Sequence, residues 1–104
     1  MGNMAQLMKQ AQKAMEQART MEAELANSRV DGTAGGGMVR ATVNGAGSIE
    51  AVTIDPSCID PNDVEMLQDL VVLAIRDAQE HAQKIRQDRL GSLTNGLPIP
   101  PGLF

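Results

Sequence analysis

Few side chains in this 104-residue sequence are equipped for chemistry, and their spacing argues against catalysis. The one cysteine, Cys58, lies in a proline-flanked turn, and the one histidine, His81, lies on a helix beyond Arg76. Neither belongs to a recognisable set of nucleophile, base and orienting group. A lone cysteine excludes an internal disulfide and a multi-cysteine zinc site, and a lone histidine excludes paired-histidine metal motifs. Cys58 reads as a small packing residue. His81, beside Ala78 and Ile85, reads as a packed or partner-facing one. Gly35-Gly36-Gly37 is not a phosphate loop, since no Lys-Ser/Thr follows and a strand comes next. Glu65, Asp69, Asp77 and Glu80 are spaced as a solvated helix face rather than as converging metal oxygens. No enzyme activity, cofactor, metal or small-molecule substrate is expected.

The remaining chemistry is that of separated charge. The net charge of −4 predicts no general attraction to nucleic acid or anionic membrane. Residues 1–20, however, balance at +2 through Lys9, Lys13 and Arg19 against Glu16. Residues 81–104 also balance at +2, through Lys84, Arg86 and Arg89 against Asp88, while residues 30–80 balance at −7. Screening limits exposed charges to a reach of ~8 Å at physiological salt. A phosphate beside a basic segment would therefore feel that segment more than a distant acidic one. The competing explanation is that these cations solvate exposed helix ends, a position that also suits Arg89 electrostatically. Phe104 is the only aromatic, which excludes modules that stack unpaired bases on aromatic platforms.

The elements that must carry these cations follow from periodicity. Residues Asn3 to Arg29 lack Gly and Pro and are rich in Ala, Met, Gln, Glu and Lys, which predicts one amphipathic helix of roughly 26 residues, ~39 Å long. Met4, Met8, Ala11, Met15, Ala18 and Leu25 form its apolar stripe, with Leu7 and Ala14 beside it and Lys9 and Lys13 opposite. Glu22 falls inside the stripe, so either the stripe leaves its packing partner there or Glu22 meets a polar group. Met38 to Val43 alternates as a strand with Val39, Ala41 and Val43 on one face. Asn44-Gly45-Ala46-Gly47 predicts a hairpin through residues that tolerate positive φ, and Ser48 to Ile54 the return strand. Arg29 to Thr33 supplies a short first strand.

A second helix is expected from Asp60 as N-cap and Pro61 as first helical residue to about Leu90-Gly91. Its seam of Val64, Leu67, Val71, Ala74, Ala78, His81 and Ile85 has the spacing of a helix-to-helix contact. Leu70 to Ile75 is apolar all round and should meet sheet, helix and a second subunit together. The fold class is thus α+β: a long N-terminal helix, a small three-stranded antiparallel sheet and a long C-terminal helix. Residues 1–90 make a single domain and 91–104 a Gly/Pro-rich C-terminal tail. Both helices outrun strands of five or six residues, about 17–20 Å, so basic helix ends should project as arms. With 7 methionines, 13 alanines and no Trp or Tyr the core is thin, which argues for a partner copy. The longest apolar run is too short to span a bilayer and no signal-peptide core opens the chain, so a cytoplasmic location without membrane contact is expected.

An ordered set of segments resembles the YbaB/EbfC family of bacterial nucleoid-associated proteins. It comprises the Met/Gln/Lys/Ala-rich first helix, Gly35-Gly36-Gly37-Met38-Val39-Arg40, Thr42-Val43-Asn44-Gly45 and Val52-Thr53-Ile54-Asp55-Pro56. Met66-Leu67-Gln68-Asp69-Leu70-Val71, Ala74-Ile75-Arg76-Asp77-Ala78 and Gly96-Leu97-Pro98-Ile99-Pro100-Pro101-Gly102 complete it. The resemblance implies a tweezer-like homodimer that binds duplex DNA in the nucleoid with weak sequence preference and takes part in chromosome organisation and gene regulation. It assigns DNA contact to the projecting helices, and so to Lys9, Lys13, Arg19, Lys84, Arg86 and Arg89. The dimer interface is expected at Leu67, Leu70, Val71, Ala74, Ile75 and Ala78. The alternative is a dimeric adaptor whose Met-lined helix or apolar tail docks a replication or recombination protein.

Overall fold

The Gly- and Pro-free N-terminal run folds as α1 (Asn3–Ala26), and three six-residue strands follow as β1 (Arg29–Ala34), β2 (Val39–Asn44) and β3 (Ile49–Ile54). A short 3-10 turn (Pro56–Cys58) then leads to α2 (Val64–Thr94). The computed structural model describes residues 3–94, with side chains as far as Ser92. Most of the expected tail, 95–104, lies outside the described residues. The sheet is antiparallel in the order β1-β2-β3, as two successive hairpins dictate. Alternation on β2 buries Val39, Ala41 and Val43 completely. The two helices outrun the sheet, and the molecule measures 74 Å by 23 Å by 16 Å.

The core is assembled from small residues. Val39, Ala41, Val43 and Cys58 pack with Ala74, Ala78 and Ala82 of α2, and partly buried Leu67, Leu70, Val71 and Ile75 flank them. The α2 seam therefore meets the sheet, not another helix as its spacing suggested. The reason is Gly32 at the centre of β1. A Cβ there would lie 2.1 Å from the Ala78 amide nitrogen and 2.5 Å from the Ala74 carbonyl oxygen. A bare backbone position facing an alanine stripe lets helix and strand approach within a distance no side chain permits. Cys58 is buried in this cluster as a small packing residue.

Several boundaries differ from expectation for local reasons. α1 stops at Ala26 rather than Arg29 because its final carbonyls are taken from outside the helix. The Leu25 carbonyl accepts from Ser28 Oγ at 2.8 Å and from Gly45 N at 2.7 Å, and Asn27 Nδ2 donates to Ala23 O at 3.0 Å. Gly45 is needed for this contact and not for its φ, since an added Cβ would lie 2.5 Å from Ser28 Oγ. In that turn only Gly47 has positive φ, while Gly35, Gly36 and Gly37 all adopt it between β1 and β2. Asp60 is not the N-cap of α2. Its carboxylate holds the Asn62 amide in a preceding turn that also contains Pro61, and Asp63 caps the helix by accepting from Met66 N at 3.2 Å. At its other end α2 continues through Gly91 to Thr94, where Glu24 of α1 holds Arg89 and steadies the last turns. Asp55 accepts from both the amide and hydroxyl of Ser57, which holds its pKa below the ordinary carboxylate value.

The close approach at Gly32 gives a direct test. Gly32→Ala should destabilise the protein by at least the ~1–3 kcal/mol typical of overpacking, because the new methyl meets backbone that cannot rotate away. Urea unfolding measures this, and an unchanged midpoint would contradict the packing described. Gly45→Ala should also lower the midpoint, since it pushes the hairpin off the end of α1.

Candidate nucleic-acid interface

Beyond the sheet, α1 and α2 lie side by side as the projecting part of the molecule. Met21 and Leu25 of α1 are buried there, Ala14, Ala18 and Leu90 half-buried, and no residue of α1 before Ala14 is covered. The helices run antiparallel, so Arg86 faces Glu22 near the sheet while Ser92 shares a groove with Lys13 and Gln17 farther out. This resolves the placement of Glu22: it meets a cation, with Arg86 Nη2 2.7 Å from its Oε1. Arg89 pairs with Glu24 in the same way.

The six candidate cations consequently divide. Lys9, Lys13, Arg19 and Lys84 are exposed and, among the described residues, make no ion pair. Arg86 and Arg89 are engaged by carboxylates of α1 and hold the two helices together. Lys13 and Arg89 line one groove with Glu16, Gln17 and Ser92, whereas Arg19 lines a different one with Gln12, Met15 and Glu16. The structure thus presents cations around the arm rather than in one patch. Such an arrangement can attract phosphates from several sides but offers no fixed fork for reading a base edge. Glu22 and Glu24 were not singled out as functional from sequence. Glu22 carried one signal, an acid falling within an apolar stripe, and Glu24 carried none.

The expected interface residues on α2 contribute to the core of the single chain. Ala74 and Ala78 have no exposed surface in the single chain, where they pack against Gly32 of β1. Leu67, Leu70, Val71 and Ile75 are half-buried by the same core. The neighbouring Val72 and Leu73 are 46% and 53% exposed, so the all-round apolar stretch is only partly covered by its own chain. His81 is neither packed nor free. Its Nδ1 lies 3.0 Å from the Asp31 carbonyl oxygen and its Nε2 3.5 Å from Asp77, whose other oxygen accepts from Thr33 N. It ties α2 to β1 and has no nucleophile beside it.

Residues 1–97 match the model of the YbaB/EbfC DNA-binding family. A nucleoid-associated protein of Saccharopolyspora erythraea is 48% identical over 101 residues, covering 97% of this chain and 87% of the relative. One from Streptomyces griseus is 50% identical over 95 residues, covering 91% and 83% respectively. One from Mycobacterium tuberculosis is 46% identical over 99 residues, covering 95% and 74%. A crystal structure of an uncharacterized Helicobacter pylori protein superposes with a TM-score of 0.75 over 86% of this chain and 94% of that one. At 22% identity it shares the fold. No helix among the described residues is long and apolar enough to cross a membrane. With its model matched across nearly the whole sequence and close relatives along its length, the chain belongs to the YbaB/EbfC DNA-binding family, which is nucleoid-associated and not an enzyme family.

Proposed function

We propose that this protein binds duplex DNA as a homodimer, by phosphate contacts from the cations on its projecting helices and with weak sequence specificity. The observation that carries the reading is the exposure of Lys9, Lys13, Arg19 and Lys84 on the two helices, without an ion pair among the described residues. Phosphate contact of this kind positions a protein on the duplex without reading its bases. Arg86 and Arg89 contribute less, because a phosphate must first displace Glu22 or Glu24. The relatives' names favour a place in the nucleoid, with organisation of the chromosome and gene regulation as the consequences.

Dimerisation is favoured by what the single chain leaves open. Among the described residues β3 is an edge strand with no partner on its outer side, and α2 lies mainly over β1 and β2. Ile49 and Val52 on β3 and Val72 and Leu73 on α2 remain exposed near half-buried Leu67, Leu70, Val71 and Ile75. An unpaired edge beside exposed apolar side chains is a liability in a monomer and a ready surface for a second copy. A dimer would duplicate every basic arm.

Lys9→Glu, Lys13→Glu and Lys84→Glu together should abolish duplex binding at low salt without altering the dimer, measured by fluorescence anisotropy and sedimentation. Retained affinity would rule out the arm contacts. In the parent protein log K should fall linearly with log salt, and each lysine neutralised to Gln should reduce the slope by ~0.9. Glu22→Gln with Glu24→Gln should tighten DNA binding by releasing Arg86 and Arg89. Its stability cost should be small, about 0–1 kcal/mol per pair, because both pairs are well exposed to solvent.

A further inference from the structure

One apolar surface of α1 serves neither the core nor phosphate contact. Met4, Met8 and Met15 are 75%, 63% and 59% exposed, and Ala11 among them is exposed as well. This seam lies beside the strip of Ala14, Ala18, Met21 and Leu25 that the chain itself covers. Lys9 and Lys13 stand on the opposite side of the helix, so phosphate bound there leaves the seam open. A helical stretch of this length is marginal in water without packing, and three large side chains along one face make its exposure costly.

We propose that this seam pairs with the same seam of another copy, α1 against α1 in antiparallel register, and so joins one dimer to the next through the arm tips. Spacing supplies the first argument. Met4, Met8, Ala11 and Met15 are separated by four, three and four residues, a pattern that reads the same in both directions. A twofold axis therefore sets Met4 against Met15 and Met8 against Ala11 of the other copy, at all four positions together. Self-complementarity of this kind is what an isologous contact requires. Volume supplies the second argument. At the centre a long, adaptable methionine meets a small alanine, the large-against-small pairing by which facing helices interdigitate, whereas a parallel pair would leave alanine facing alanine. Charge supplies the third. Lys9 and Lys13 are the only charged residues within 4–15, and both face away from the contact. Glu22, the acid that interrupts the stripe, lies beyond the overlap and is held by Arg86. The contact runs along only ~17 Å of helix, so it is weak in free solution, and DNA that gathers the copies raises their effective concentration. On the DNA-binding reading above, two joined arms then present lysines on both outer sides and hold two duplex segments together.

Engineered cysteines read the register without DNA. In a Cys58→Ala background, chains carrying Met4→Cys mixed with chains carrying Met15→Cys should form a mixed disulfide under mild oxidation, several-fold faster than Met4→Cys chains link to one another. Equal or faster linkage of Met4→Cys chains alone would indicate parallel helices and overturn the proposal. Sedimentation, also without DNA, supplies the second readout. With rising concentration the parent protein should approach twice the mass of Met8→Glu, whose carboxylate at the crossing disrupts the seam. Adding Ala11→Lys to Met8→Glu should restore the larger assembly, because each new carboxylate then faces an ammonium of the other copy. Failure of that double variant to associate would overturn the register and with it the proposal. Equal masses for the parent and Met8→Glu into the millimolar range would also overturn it, and a mixed disulfide formed without that gain in mass would assign the contact to the two arms of one dimer. None of these outcomes depends on DNA affinity, so they stand or fall apart from the phosphate contacts.

Discussion

The rest of the molecule depends on how closely α2 can approach β1. With no Trp or Tyr, the protein cannot fill a gap between helix and sheet with large rings, so it closes the gap instead. Gly32 offers bare backbone, and Ala74, Ala78 and Ala82 present methyl groups at one-turn intervals along the facing helix. Close approach replaces side-chain bulk as the source of dispersion contacts and excluded water. It also fixes the direction of α2 over the sheet. That direction decides where the helix emerges, and so where its basic half stands relative to α1.

Once α2 leaves the sheet, α1 is its only described neighbour, and the contact changes character. Ala14, Ala18, Met21 and Leu25 supply a narrow apolar strip, and Glu22 and Glu24 reach across to Arg86 and Arg89. These exposed pairs add little stability individually. Their value is in sorting the cations: two hold the arm together, while Lys9, Lys13, Arg19 and Lys84 make no ion pair among the described residues. Glu22 and Glu24 are thereby matched locally, whereas Glu16 and Asp88 of the arm make no ion pair among the described residues.

Much of this was legible in the residues. The order of elements, the buried face of β2 and the projecting helices all follow from strong periodicity and turn chemistry. What periodicity leaves open is the partner. Alanines at 74, 78 and 82 suit a helix or a sheet equally, and only the three-dimensional meeting with Gly32 decides between them. Asp60 and Asp63 both qualify as caps by type, and the intervening turn selects the second. Gly45 resembles a residue chosen for positive φ, yet its role is to let a backbone amide reach the end of α1. The cations were legible as a set, whereas their division was not, since an ion pair across 64 or 65 residues leaves no local trace.

The three lysines of the chain, Lys9, Lys13 and Lys84, all lie on the projecting helices, so amine-selective acetylation read by mass spectrometry reports on the arms alone among side chains. Saturating duplex DNA at low salt should protect all three, and raising the salt should remove the protection in step with binding. Bound DNA that leaves all three lysines as reactive as in the free protein would contradict the account.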